Sequence, residues 1–223
     1  MQRKQFLRLM GATLGGVVLT ACGGGDEEIA TPAATVSVVP NDTDSTLVED
    51  LSAEEIAGLM YMREEEKLAH DVYLALFNVW GAKVFSQIAL SEAEHTEAVR
   101  RLIEAYGLED PAATNPAGVF ENDDLQALYN QLVAMGQPSL IDALKVGCLI
   151  EEKDIQDIND KKAEVLDEPD IVQVYDNLLC GSRNHLRAFN SNLLNQGVSY
   201  EATVLSQAEW DVIAYSAQET CGG

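Results

Sequence analysis

The sequence predicts an all-α domain in which four long helices share one core, with a long crossover containing a short helix between the second and the third. Three observations predict it. Apolar residues recur at three- and four-residue steps over long stretches, while β-type alternation is scarce. Caps, glycines and prolines bracket those stretches. The connections also differ in length: two or three residues join the first helix to the second, but about thirty join the second to the third, which suits a bundle with one crossover connection better than a simple up-down bundle.

The first helix opens at Ser52, where Glu55 completes a capping box, and runs to about Trp80 before Gly81 stops it. Its inward line reads Leu59, Met62, Glu66, Ala69, Tyr73, Leu76 and Trp80, an apolar stripe broken once by a carboxylate. The second, from about Lys83 to Tyr106, has the line Phe85, Ile88, Glu92, His95, Val99, Leu102 and Tyr106, broken at Glu92 and His95. Gly107 to Asn122 reads as loop, and Asp123 to Met135 as a short amphipathic helix ended by Gly136 and Pro138. Ser139 caps a third long helix, about Leu140 to Asn159, whose line is Leu140, Leu144, Gly147, Glu151, Asp154 and Ile158. The glycine is expected to leave space at the level of the two acids. The fourth, about Asp170 to Asn195, carries Val174, Leu178, Ser182, His185, Phe189 and Leu193. One more short helix is expected around Trp210 and Ile213, followed by a loose tail.

The ends divide the chain further. Arg3, Lys4 and Arg8 precede a short apolar run that closes in Leu19-Thr20-Ala21-Cys22, which resembles a bacterial lipoprotein signal. Residues 1–21 are then a signal peptide, Cys22 the lipidated first residue, 22–48 a flexible tether, 49–200 the bundle and 201–223 a short helix and tail. The start also resembles an imperfect twin-arginine signal, with an ordinary secretory start as the alternative. The resemblance implies a location in the cell envelope, facing the periplasm or exterior and attached to the membrane through lipid on Cys22.

Lys and Arg total 14, three of them in the first eight residues, which leaves 11 against 37 acids and a formal charge of about −26 after the signal. That excludes nucleic acid as a partner and favours cations. Most of the acids serve solubility. Cys148, Cys180 and Cys221 allow one internal disulfide at most; Cys148–Cys180 is the pairing considered, with buried free thiols the alternative.

All four inward lines turn polar at one height. Buried carboxylates are costly unless they are paired, hydrogen-bonded or bound to metal. Any one of them alone would pass as a satisfied core group; the coincidence on four helices points to a metal site. Carboxylates with imidazoles suit iron or manganese. Residues three apart share a helix face, so Glu92-x-x-His95 offers a carboxylate and a nitrogen together. Glu64, Glu65 and Glu152 are assigned to a solvated face or to ion pairs with Arg63 and Lys67, and His70 to a partly exposed position.

The segments Arg63-Glu64-Glu65-Glu66-Lys67, Asp71-Val72-Tyr73, Ser91-Glu92-Ala93-Glu94-His95, Ile150-Glu151-Glu152-Lys153-Asp154-Ile155 and Gly181-Ser182-Arg183-Asn184-His185 make residues 51–197 similar to the ferritin-like superfamily, and closest to a bacterial and archaeal branch labelled as a domain of unknown function. That resemblance implies Glu66 as a terminal ligand, Glu92 as a bridging one with His95 as its nitrogen partner, and Glu151 and His185 as the ligands from the third and fourth helices. It implies two iron ions, or manganese, acting on dioxygen or peroxide as in ferroxidase or peroxide-reducing chemistry. Tyr73 is then the candidate catalytic residue; otherwise it is core packing. The fourth helix departs from the pattern, since Ser182 stands where a glutamate is expected. Either Asp154 supplies the missing acid or the site holds one metal tightly. The alternative from another class is a non-enzymatic helical lipoprotein for metal sequestration or partner binding. A lipid tether disfavours a closed cage and permits a homodimer.

Overall fold

The computed structural model describes residues 51–165 and 167–222. The signal segment 1–21, Cys22 and the whole tether to residue 48 lie outside the described residues. Within them all regular structure is helical: α1 (Ala53–Trp80), α2 (Lys83–Ala105), α3 (Asp123–Gly136), α4 (Leu140–Glu164), α5 (Pro169–Asn195) and α6 (Gln207–Ala214).

Local chemistry sets these bounds. Ser52 Oγ accepts from Glu55 N while the Glu55 carboxylate accepts from Ser52 N, the capping box expected from sequence. Gly81 ends α1 in the left-handed region at φ 63°, a conformation that costs glycine little. Asn122 and Ser139 cap α3 and α4 through their side-chain oxygens. α4 runs one turn past the expected Asn159, since no glycine or proline interrupts residues 160–164, and Lys161 and Lys162 suit its C-terminal dipole.

α1 packs along α2 and α4 along α5, and the two pairs meet through α1 on α4 and α2 on α5. α3 covers α1 and α4, and α6 rests on α5. The apolar interior divides in two. One part gathers Ala69, Tyr73, Phe85, Ile88, Leu144, Phe189 and Leu193; the other gathers Leu59, Met62, Val99, Leu102, Ile158, Leu178 and Trp210. The seam positions between them are Glu66, Glu92, Glu151, Asp154, Ser182 and His185, all buried.

Three expectations are corrected. Glu64, Glu65 and Glu152 are 4%, 2% and 0% exposed and lie inside, not on a solvated face. Glu64 accepts from the backbone N–H groups of Glu121 and Asn122, and Glu152 from those of Thr203, Val204 and Leu205 and from the Tyr200 hydroxyl. Both therefore fasten connecting segments to the helices and are satisfied in doing so. The disulfide joins Cys180 to Cys221, Cα atoms 5.6 Å apart, and Cys148 is a buried free thiol. The final residues are strapped rather than loose: Glu219 pairs with Arg183 and Arg187, and Asn184 bonds the Glu219 backbone in both directions.

The space beside Gly147 belongs to Phe189, whose ring a Cβ there would strike, so that glycine serves packing rather than the acids. No helix among the described residues is long and apolar enough to cross a membrane.

Candidate metal centre

Glu66 comes from the middle of α1, Glu92 and His95 from one turn of α2, Glu151 from α4 and His185 from α5. Helical periodicity turns each inward at the same height, and packing of the helix pairs brings them together. Two groups of ligand atoms result, each within 4.8 Å: Glu66, Glu92 and His95, and Glu92, Glu151 and His185. Glu92 belongs to both.

His95 Nδ1 lies 2.8 Å from Glu92 Oε2 and 3.2 Å from Glu66 Oε2. His185 Nδ1 lies 2.8 Å from Glu92 Oε1 and 3.5 Å from Glu151 Oε2. The two imidazole rings stack with centroids 5.4 Å apart. Despite the short distances, both Glu92 oxygens and His185 Nδ1 lack a partner at hydrogen-bonding angles, as do Glu66 Oε1 and Glu151 Oε2. Angle decides here, because a hydrogen bond weakens steeply off line. These atoms face common points more than they face one another. Such unmade bonds are costly in a core, and a cation at each point would satisfy them. The donor set therefore fits hard or borderline divalent metals.

The electrostatics agree. Burial pushes Glu66 and Glu151 up to about 7, against the opposing pull of His95 and His185 respectively. Burial also works against charge on Glu92, but the two histidines outweigh it and hold its carboxyl below the usual range. Burial would lower both histidines, yet Glu92 and Glu151 raise His185 to about 10, and Glu92 and Glu66 hold His95 well above its ordinary value. Without metal, protons on the imidazoles balance the carboxylates.

Neighbouring groups fix these side chains. Ser91 Oγ lies 2.9 Å from His185 Nε2, which leaves Nδ1 toward the carboxylates. Gly181 sits against the His95 ring, where any Cβ would collide with it. The buried Tyr73 hydroxyl donates to Glu151 Oε1 at 2.5 Å, and its ring packs on Phe85 and Phe189. Neither Ser91 nor Gly181 stood out in sequence for such a role. A serine one residue before Glu92 and a glycine four before His185 carry no signal without the fold.

The structure leaves Asp154 out of both groups. It is 2% exposed, with Oδ2 unpartnered, and the carboxylate acting on it most strongly is Glu65, ahead of Glu151, Glu66 and Glu92. Ser182 Oγ donates to the Leu178 carbonyl at 3.1 Å, within its own helix. His70 is partly exposed and pairs with Asp71 at 2.8 Å, outside the centre.

The chain is 46% identical over 171 residues to "Uncharacterized protein MJ0754" of Methanocaldococcus jannaschii, covering 77% of this chain and 92% of that one. Its structure is similar to the crystal structure of hypothetical protein MJ0754 from Methanococcus jannaschii, with a TM-score of 0.74 at 46% identity over 76% of this chain and 96% of the other. Residues 55–217 match the family described as "Uncharacterized protein domain (DUF2202)", and the chain belongs to that family.

Proposed function

We propose that the chain is a ferritin-like four-helix bundle that holds two metal ions, iron or manganese, and uses them in oxidative chemistry such as ferrous-ion oxidation or peroxide reduction. The observation that carries this reading is the sharing of Glu92 by two ligand groups in which Glu66 Oε1, both Glu92 oxygens, Glu151 Oε2 and His185 Nδ1 lack partners. Glu66 and His95 would hold one ion, Glu151 and His185 the other, and Glu92 would bridge them. When bound, such a pair supplies electrons to dioxygen or peroxide.

The protein residues have separable tasks. His95 and His185 must give up their protons to bind metal, so metal uptake and proton release are linked. Ser91 orients His185, and Tyr73 holds Glu151 in place through a proton on its hydroxyl. Tyr73, Phe85 and Phe189 form an apolar floor that excludes water from one side. Ser182 supplies a neutral hydroxyl engaged with its own helix in place of a carboxylate, so five residues would serve two ions and leave room for small substrates. Export and tethering through lipid on Cys22 belong to the same proposal and rest on the pattern of residues 1–22.

Metal analysis of protein purified from its own host tests the reading. About two iron or manganese equivalents per chain are expected, with ferrous iron oxidised faster than in buffer. Unchanged metal content in a Glu92→Ala, His95→Ala double variant would remove it.

A further inference from the structure

Glu64, Glu65 and Glu66 point to three different places, and the middle one has no explanation in the centre itself. An open cleft of about 900 Å³ runs beside α1 and α4, walled by Tyr61, Glu64, Asp157, Asp160, Lys161 and Glu164. Its lysine is already paired with Glu164 at 3.0 Å, so the cleft presents net negative charge to solvent. The Tyr61 hydroxyl lies 3.1 Å from Asp157 Oδ2 in the wall and 3.2 Å from Glu65 Oε1 behind it. Asp154 stands on α4 three residues before Asp157 and three after Glu151, so one helix face carries all three, and the carboxylate acting most strongly on it is Glu65. The carboxylates thus form a line: Asp157, Glu65, Asp154, then Glu151 and Glu66.

Glu65 and Asp154 are each 2% exposed, and Glu65 Oε2 and Asp154 Oδ2 have no hydrogen-bond partner. The contrast with Glu64 and Glu152, equally buried but satisfied by backbone N–H groups, marks this pair out. Lys153, the cation nearest the line, is at ion-pair distance from Asp157 only, 3.3 Å away. Neither Glu65 nor Asp154 belongs to a ligand group of the centre. Two buried carboxylates with free oxygens, between an acidic cleft and a metal centre, are placed to hold a cation briefly.

We propose that Glu65 and Asp154 form a waypoint for a divalent cation passing from the α1/α4 cleft to the centre, an inference that rests on the metal-binding reading above. Carboxylate oxygens without nitrogen or thiolate suit a hard cation that must bind and then leave. The cleft concentrates cations, and the inner pair lowers the cost of carrying charge through a dry wall.

Cobalt(II) serves as probe, since its visible absorption on entering a histidine–carboxylate site can be followed by stopped flow. Metal-free wild type, Glu65→Gln, Asp154→Asn and the more exposed Asp157→Asn are mixed with cobalt. The expected result is loading slowed on the order of tenfold or more, the scale of electrostatic steering, with the same final stoichiometry and spectrum. Stripping by a chelator should slow in parallel, because a barrier on the path acts in both directions, whereas a loosened fold would release metal faster. Wild-type loading rates in all three variants overturn the waypoint while the centre stands. A lower stoichiometry in Asp154→Asn also overturns it, by making Asp154 a ligand of the centre. Failure of wild type to bind cobalt removes both readings.

Discussion

A buried charged side chain must find a partner, and in this protein the partner is often far away in sequence. That separates what the sequence disclosed from what it hid. Glu66, Glu92, His95, Glu151 and His185 were legible because each interrupts an apolar line at a fixed helical period and has ligand chemistry. Glu64, Glu65 and Glu152 read as surface because periodicity gives a side chain's direction but not what covers it. The cover for Glu64 comes from residues 57 and 58 positions later. The task of Gly181 is a matter of space that no motif discloses: the His95 ring occupies the volume of its missing side chain. Gly181→Ala should therefore displace His95 and weaken metal binding by about 10- to 100-fold, the usual cost of disturbing a group that positions a ligand. Helix content should stay unchanged, since alanine favours a helix interior. Titration with cobalt beside a circular dichroism spectrum checks both halves; wild-type affinity in the variant would show that the ring has another resting place.

At the scale of elements, caps and stops located the six helices well, because both act within a few residues. The end of α4 lies one turn past Asn159 because residues 160–164 hold no breaker, whereas the fate of the tail depends on contacts outside its own segment. Arg183, Asn184 and Arg187 on α5 hold Glu219, and Cys180 on the same helix holds Cys221, so the tail is strapped over the stretch that presents His185. The disulfide closes a separation of 41 residues. Cys221→Ser should lower the unfolding free energy by at most about 4 kcal/mol in the chain-entropy view, measured by urea denaturation. The ion pairs of Glu219 and the Asn184 bonds to its backbone then carry the tail. Hydrogen bonding to Arg183 foremost, and to Arg187, holds the Glu219 carboxyl at about 2, below its ordinary value. A depressed carboxyl stabilises fully above pH 4.5 and loses that contribution as pH falls toward 2. In the variant, amide exchange of residues 217–222, referenced to a free peptide of the same sequence, should therefore lose protection on acidification through this window. Protection unchanged at pH 3 would assign the attachment to the Asn184 hydrogen bonds with the Glu219 backbone instead.

For the whole molecule, the balance between two apolar cores and the charged layer between them governs stability. Without metal that layer is held by protons. Glu66 and Glu151 sit at about 7, above their unfolded value of 4.5, and His185 at about 10, above 6.5. In each case the native state binds more protons than the unfolded chain, so the stabilisation is complete below the unfolded value and is lost as pH rises through the folded one. Glu92, held low, stays ionised across this range and adds no slope. The metal-free protein should consequently weaken between pH 5 and pH 8. On the metal-binding proposal, bound metal would replace those protons with an affinity that rises as they leave, so the loaded protein should move the other way. At a free metal concentration about a hundredfold above Kd, binding adds about 2.7 kcal/mol, or roughly 5 to 10 °C in Tm for a domain of this size. The gap in Tm between manganese-loaded and chelator-treated protein should thus widen from pH 5 to pH 8, as followed by calorimetry. A gap that is constant with pH would mean that metal binds elsewhere on the acidic surface, since only a site that exchanges protons for metal couples the two. A layer held by hydrogen bonds alone would give no gap at any pH, and the polar break on four helices would then serve the fold and not chemistry.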